Sequence, residues 1–178
     1  MNKIQPPSNL ETLLQQALFF CQSGQFTEAK SIYKELLESN SNHPKVLTNL
    51  GSIELQSGNF EEGVKLIQKS IEVDPNQPYA FYNVGNVLFK LKRYNEALIN
   101  CDRAIALKPD FAEAYNNRGL TCNELKRLDD ALICYDRAIA LKPDYAEAYS
   151  NRGVTFGDLK RYDDALICYD RAIALKPD

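Results

Sequence analysis

The residues best suited to catalysis or metal binding in this sequence of 178 residues are one histidine, His43, and five cysteines. The cysteines are Cys21, Cys101, Cys122, Cys134 and Cys168. No CxxC pair occurs, whereas a zinc site needs about four Cys or His ligands at close spacing. Cys134 and Cys168 hold the same place in two copies of one segment, so we expect buried, reduced packing thiols. The sequence therefore predicts no metal site and no cofactor.

Acidic pairs are the next candidates for chemistry, since two carboxylates can serve as a general acid and a general base. Asp129–Asp130 and Asp163–Asp164 recur at the expected starts of two helices, where the helix dipole favours negative charge. The single histidine leaves no basis for a Ser-His-Asp set, and no glycine-rich phosphate loop is present. We therefore expect a protein that is not an enzyme.

Composition narrows the class of partner. The net charge is −3 and the chain is 44% hydrophobic and 25% charged, which is typical of a soluble folded protein. Nucleic-acid binding needs a clustered basic surface, and a membrane helix needs about 20 apolar residues; the sequence offers neither. The first residues also lack the apolar core of a signal peptide. These features predict a cytoplasmic protein that binds neither nucleic acid nor membrane.

A repeat of 34 residues organises nearly the whole chain. The segment LICYDRAIALKPD at residues 132–144 recurs unchanged at residues 166–178. Glycines and prolines follow the same spacing. They are Gly51, Gly85, Gly119 and Gly153, and Pro75, Pro109, Pro143 and Pro177.

Each repeat is predicted to contain two helices, which in the fourth repeat cover residues 112–125 and 128–141. Apolar residues fall at steps of three and four, as on one face of a helix. The recurrent glycine in the first helix and alanine in the second would let the two backbones approach closely. Helix caps are expected at Asn42, Asn76, Asp110 and Asp144, the last two with Glu113 and Glu147 in capping-box-like positions.

These positions together resemble the tetratricopeptide repeat, whose signature is a large residue, Leu-Gly, an aromatic, Ala, Phe or Tyr, Ala and Pro at fixed offsets. The resemblance covers about residues 10–178. It implies an all-α fold, a right-handed superhelical solenoid of antiparallel helix pairs. The expected boundaries are an N-terminal extension of residues 1–9 and five units without a C-terminal capping helix: 10–43, 44–77, 78–111, 112–145 and 146–178.

In this family the first helices line a concave groove that binds ligands, and one register of the groove is occupied by amides. The residue two before each glycine is Asn49, Asn83, Asn117 or Asn151. An asparagine offers both donors and an acceptor, so a row of them can hold the backbone of an extended peptide. The row is similar to that of the repeat domains of O-linked N-acetylglucosamine transferases. The alternative is that each asparagine bonds to the neighbouring repeat and only packs the stack.

Further residues are expected on the groove wall, aromatic in the middle of the chain and acidic or amidic towards its C-terminus. A clamp for an acidic C-terminus would need more groove cations than Lys45 and Lys90. The expected wall residues are Tyr79, Tyr82, Asn86, Phe89, Lys90, Glu113, Asn116, Asn123 and Glu147.

Two arginines depart from the repeat pattern. Arg118 and Arg152 stand where a leucine is usual, and a buried arginine needs a partner. Asp102 and Asp136 lie sixteen residues upstream of these arginines, and repeats without the arginine lack the aspartate. We therefore predict two inter-repeat pairs, Asp102 with Arg118 and Asp136 with Arg152.

The function predicted from these features is a scaffold for protein–protein interaction that binds an extended peptide or a partner protein in the groove. One alternative is the substrate-recruiting repeat region of a larger enzyme, such as a glycosyltransferase. Another is a self-assembling array, because the apolar edge of the last repeat, with Leu166, Tyr169 and Ile173, is expected to be partly bare. That edge makes a homo-oligomer possible.

Overall fold

The computed structural model describes residues 9–176, and these residues form ten α-helices without a strand. Helices alternate with short turns, as the repeat pattern predicts, and the all-α array of helix pairs is confirmed. The helices are α1 Asn9–Gln22, α2 Phe26–Ser39, α3 Pro44–Gln56, α4 Phe60–Val73, α5 Pro78–Lys90, α6 Tyr94–Leu107, α7 Ala112–Glu124, α8 Leu128–Leu141, α9 Ala146–Asp158 and α10 Tyr162–Leu175.

The helices fall into two compact units, the first ending at Asn76 and the second beginning at Gln77. The first unit contains α1–α4 and the second contains α5–α10. The five predicted repeat boundaries remain a prediction, and the predicted extension lies outside the described residues apart from Asn9.

In both units each odd-numbered helix packs most extensively against the helix that follows it. Successive first helices also touch within the second unit, where α5 contacts α7 and α7 contacts α9. Gly119 shows why a small residue is needed in these pairs. A Cβ atom built on Gly119 would lie 2.6 Å from Cε1 of Tyr135 in α8, closer than real Cβ contacts come. The expected close approach of the two backbones is therefore present.

The core of each unit consists of small, aliphatic and aromatic side chains packed between helices. In the first unit Ala17, Ala29 and Tyr33 are fully buried, and in the second Ala131 and Tyr135 are. All five cysteines are free, four of them buried and Cys21 half-buried. The cysteines thus pack in the core as expected.

The turn inside each helix pair repeats one backbone conformation. Gly24 and Gly58 have positive φ angles of 72° and 83° in the first unit. Lys92, Lys126 and Lys160 hold the same repeat position in the second unit, with φ of 59° to 60°. Glycine adopts this left-handed region freely, whereas a side chain makes it costly. The two units therefore build the same turn from residues of different conformational cost.

The predicted helix caps were wrong by one residue. The N-caps of α3, α5, α7 and α9 are His43, Gln77, Phe111 and Tyr145, and none makes a side-chain capping bond. The predicted caps, Asn42, Asn76, Asp110 and Asp144, each lie one position earlier. Proline at the first turn of α3 and α5 supplies the preset φ instead.

Candidate functional site

A pocket of about 300 Å³ opens between α5 and α7 in the second unit. Five of the residues around it were predicted for the groove from the repeat register, and Leu120 was not. Leu120 directly follows the glycine of α7, so the same register could have identified it. The pocket is lined by Tyr82, Asn86, Phe89, Lys90, Asn117 and Leu120.

Two aromatic rings form the apolar part of this pocket, and both are held by neighbours. The Tyr82 ring lies 4.9 Å from the ring of Phe111, which is buried ahead of α7. The Phe89 ring lies 5.5 Å from the ring of Tyr94 at the start of α6. Because packing fixes the rings from behind, the pocket is preformed, as is usual for sites that bind small apolar groups.

Amides and one cation form the polar part of the pocket. The Asn117 amide nitrogen donates a hydrogen bond to the Asn86 carbonyl oxygen across the α5–α7 interface. An asparagine amide has two donor hydrogens and an acceptor oxygen, so this bond leaves polar capacity on both side chains. Lys90 is exposed, and no ion pair links it to another described residue. The pocket thus combines an apolar floor with polar groups that can still form hydrogen bonds to a ligand.

The first unit has a pocket of about 240 Å³ in the equivalent register, between α1 and α3. Asn49 takes the place of Asn117 there, and its amide nitrogen donates to the Tyr33 hydroxyl at 3.2 Å. Burial, with the Cys21 thiol 3.8 Å away, raises the pKa of Tyr33 well above its ordinary value. Tyr33 therefore stays a neutral hydroxyl. The lining residues are Leu18, Cys21, Phe26, Tyr33, Asn49, Ser52, Ile53 and Gln56.

The four register asparagines do not all have the same surroundings. Asn49 and Asn117 bond to groups at the pocket walls, and Asn151 donates to the Asn116 carbonyl oxygen at 3.0 Å. Asn83 forms no side-chain hydrogen bond with another described residue, although it is half-buried like the others. Packing between repeats therefore accounts for Asn49, Asn117 and Asn151 in part, whereas the side chain of Asn83 bonds to no other described residue.

Asn116 is not on the groove surface, contrary to prediction. Its side chain is fully buried, accepts the bond from Asn151 and donates to Glu147 at 3.4 Å. The helical register gave the correct direction for this residue, but surrounding side chains cover it. Asn116 therefore holds the side chains of Asn151 and Glu147 in place through these two hydrogen bonds.

Tyr79 and Glu113 hold the same place in successive repeats, and both bind a lysine of the following loop. Lys108 Nζ donates to the Tyr79 hydroxyl at 2.6 Å, which raises the pKa of Lys108. Lys142 Nζ lies 3.3 Å from Glu113 Oε1. These predicted groove residues therefore contact the chain itself, at the edge of the groove. Asn123 is half-buried, and its carbonyl oxygen accepts no hydrogen bond from the described residues.

The structure brings each predicted arginine to its predicted aspartate. Arg118 Nε lies 2.6 Å from Asp102 Oδ1, and Arg152 Nη1 lies 2.5 Å from Asp136 Oδ1. Each arginine also donates to the buried thiol of a cysteine sixteen residues later, Arg118 to Cys134 at 2.9 Å. The arginines thus join the second helix of one repeat to both helices of the next.

Comparison with known families agrees with the repeat register. Sequence models described as tetratricopeptide repeat match residues 21–82, 78–111 and 110–178, which together cover nearly the whole chain. The chain is a tetratricopeptide repeat protein. No curated protein matches the sequence.

Solved tetratricopeptide structures share the fold over almost its full length. MamA superposes with a TM-score of 0.84 at 23% identity, covering 97% of each chain. MamA from Desulfovibrio magneticus RS-1, from residue 41 to its end, gives a TM-score of 0.88 at 22% identity, covering 96% of this chain and 97% of that one. YrrB, described as a TPR protein with an unusual peptide-binding site, gives 0.81 at 25% identity and covers 93% and 86%.

One buried ion pair of this tetratricopeptide protein was missed by sequence reasoning. Lys30 in α2 and Glu54 in α3 approach to 2.5 Å, and only 6% of the Glu54 side chain is exposed. Asn59 also donates to Glu54 at 2.8 Å. Burial raises the pKa of Glu54, but the bonds from Lys30 and Asn59 outweigh it, and the pKa falls below its ordinary 4.5.

Other kinds of site find no support among residues 9–176. No three His, Cys, Asp or Glu side chains in that range are arranged to bind a metal ion. None of the described helices has both the length and the apolar character needed to cross a membrane.

Proposed function

We propose that this tetratricopeptide protein is an interaction scaffold whose second unit binds an extended peptide segment of a partner protein. The observation that carries the proposal is the pocket between α5 and α7, where two fixed aromatic rings adjoin Asn86, Asn117 and Lys90. Mixed apolar and polar linings of this kind bind a side chain and fix its orientation at once.

Pocket size suggests how much of a peptide each repeat recognises. A volume of about 300 Å³ is at the lower end for ligand sites, so it suits one large side chain. Amides on either side can bond to the peptide groups that flank this side chain, whatever the sequence there. Asn83, which follows Tyr82 of the pocket and bonds to no other described residue through its side chain, is our candidate for this role.

The comparisons support the same proposal. The tetratricopeptide fold extends over the whole described chain, and YrrB, at 25% identity, is described as having a peptide-binding site. The five free cysteines fit the reducing cytoplasm, where disulfides are rare, and we place the scaffold there.

Selection from a random-peptide display library, followed by fluorescence anisotropy with the selected peptides, tests the groove directly. Asn83→Ala and Phe89→Ala should each weaken binding about tenfold, because each loses a direct contact worth about 1–2 kcal/mol. The matched control is Asn95→Ala, an exposed asparagine of α6, which should bind normally. Thermal unfolding of each variant separates lost contact from lost fold. Unchanged affinity in both groove variants would contradict the proposal.

A second proposal, self-association, rests on the outer face of α10. Tyr162, Leu166 and Ile173 are each 60% to 64% exposed, whereas the equivalent residues of α8, including Leu132, are half-buried under α9. We propose that a second copy of the chain covers this face. Sedimentation velocity over a concentration series should then show a dimer that Leu166→Glu abolishes and Ile133→Glu, an equally exposed control on α8, leaves intact. A monomer at all concentrations rules it out.

A further inference from the structure

One register of the groove reverses its charge within the second unit. The fifth residue after the repeat glycine is Lys90 in α5, Glu124 in α7 and Asp158 in α9, and all three are exposed. The first unit has the neutral Gln56 at this place. A peptide lying along the second unit therefore meets a cation first and carboxylates one and two repeats later.

These charges remain available to a ligand. Some exposed charges are paired within the chain, for example Arg93 with Glu96 and Arg127 with Asp130. Among the described residues, neither Lys90 nor Glu124 forms an ion pair. A solvated surface explains scattered charges. Lys90, Glu124 and Asp158 differ from these because they share one groove register, in which the sign of the charge changes after the first repeat.

Tyr94 joins the pocket and the first carboxylate into a single surface. Its ring packs 5.5 Å from Phe89 at the pocket wall, and burial together with the nearby Glu124 carboxylate raises the pKa of its hydroxyl. The Glu124 carboxylate therefore lies one tyrosine away from the apolar pocket, while Lys90 belongs to the lining of that pocket.

The distance between neighbouring first helices predicts the spacing of the recognised residues in a bound peptide. The first helices α5, α7 and α9 pack directly on one another, and packed helices lie about 8–10 Å apart. An extended peptide advances about 3.3 Å per residue, so one repeat corresponds to about three residues.

We propose that the second unit selects an extended peptide with three recognised residues. An apolar residue and an acidic residue are neighbours, and a basic residue lies about three positions from the acidic one. The apolar side chain enters the pocket of Tyr82, Phe89 and Leu120, the acid pairs with Lys90 and the base pairs with Glu124. This inference rests on the proposed function and adds the chemistry and order of the ligand.

The experiment compares two labelled synthetic peptides of identical composition, built on a sequence selected from the display library. In one the acid adjoins the apolar residue and the base is distal; in the other the two charges are exchanged. Because the apolar residue marks which charge lies next to the pocket, the two peptides can be compared whichever way the peptide chain runs along the groove. The wild-type protein should bind the first peptide about fivefold or more tightly, with the preference shrinking as ionic strength rises.

The decisive variant is Lys90→Glu/Glu124→Lys, which keeps the net charge and should reverse the preference. Arg103→Glu/Asp170→Arg, a charge exchange on the second helices, is the control and should keep the wild-type preference. If library peptides bind, need Asn83 and Phe89, but show no charge order, this inference fails and the proposed function stands. If no peptide depends on Asn83 or Phe89, both fail.

Discussion

Glu54 in α3 and Lys30 in α2 form an ion pair at two positions that hold apolar residues in the later repeats. The pair joins the two helices at 2.5 Å, with Asn59 as a second partner of the carboxylate. At the same two positions the later repeats have the apolar residues Val64 and Leu88, Leu98 and Cys122, and Leu132 and Phe156. In the second unit Leu98 packs against the core cluster that contains Cys122. The first unit thus uses charge where the second uses apolar contact.

Replacing one partner of this ion pair should lower the free energy of unfolding more than replacing both partners. Glu54→Leu leaves Lys30 facing an apolar partner and should lower the free energy of unfolding by about 2–3 kcal/mol, somewhat less than for a fully buried pair because Lys30 is partly exposed. Lys30→Val/Glu54→Leu introduces the residue types that the next repeat has at these positions, Val64 and Leu88, and should recover most or all of that loss. Urea unfolding followed by circular dichroism measures both, and a double variant weaker than the single one would show that the pair itself is needed.

Acid should weaken the first unit through the same carboxylate. The folded state lowers the pKa of Glu54 below 4.5, so its contribution to stability is complete above about pH 4.5 and is lost as the pH falls through the folded-state pKa. Urea midpoints of the wild type should therefore fall faster below pH 4.5 than those of Lys30→Val/Glu54→Leu, in which this carboxylate is absent. Parallel pH profiles would exclude Glu54 as the source.

Alanine should destabilise the protein at one of two equivalent glycines, Gly119, but not at the other, Gly85. At Gly119 a Cβ would meet the Tyr135 ring at 2.6 Å, so Gly119→Ala should lower stability by about 1–3 kcal/mol. At Gly85 the nearest atom is Cys101 Sγ at 3.4 Å, so Gly85→Ala should be neutral or gain up to about 1 kcal/mol of helix propensity. Melting temperatures of the two variants decide between these outcomes; equal losses would mean that Tyr135 is not the obstacle.

Each aspartate–arginine pair should contribute a small, measurable interaction energy to stability. Asp102 is 51% exposed and Asp136 is 62% exposed, so solvent screens both interactions. A double-mutant cycle of Asp102→Asn with Arg118→Leu should give a coupling energy of about 0.2–1 kcal/mol that declines with salt. Asp170 has the same repeat position as Asp102 but lies two repeats further on, in α10, so Asp170→Asn paired with Arg118→Leu should show no coupling.

Repetition explains why the aspartate–arginine pairs could be predicted from one sequence. Each repeat serves as a control for the others, and Arg118 and Asp102 change type together at a fixed offset of sixteen residues. Lys30 and Glu54 show the same signal at an offset of twenty-four, so a wider comparison of offsets would have found them. Helix pairs and apolar registers were equally accessible, because the 34-residue period fixes both.

The burial of individual side chains could not be predicted by comparing the repeats with one another. Asp110 has a good capping side chain, yet α7 is capped by Phe111, whose ring is buried against Tyr79 and Tyr82. Burial of that ring sets the start of the helix more strongly than a single capping bond does. Likewise, the register of Asn116 predicts its direction, but only the surrounding side chains determine that it is covered.

The offset between aspartate and arginine also has a genetic consequence. The segment 112–145 contains Arg118 in its first helix and Asp136 in its second, so an in-frame tandem copy brings Asp136 of one copy opposite the arginine of the next. Copying residues 44–77 instead sets Gln68 opposite Leu50. Duplication of the later segment therefore creates a junction that already has its salt bridge, and such an array can lengthen without waiting for compensating mutations.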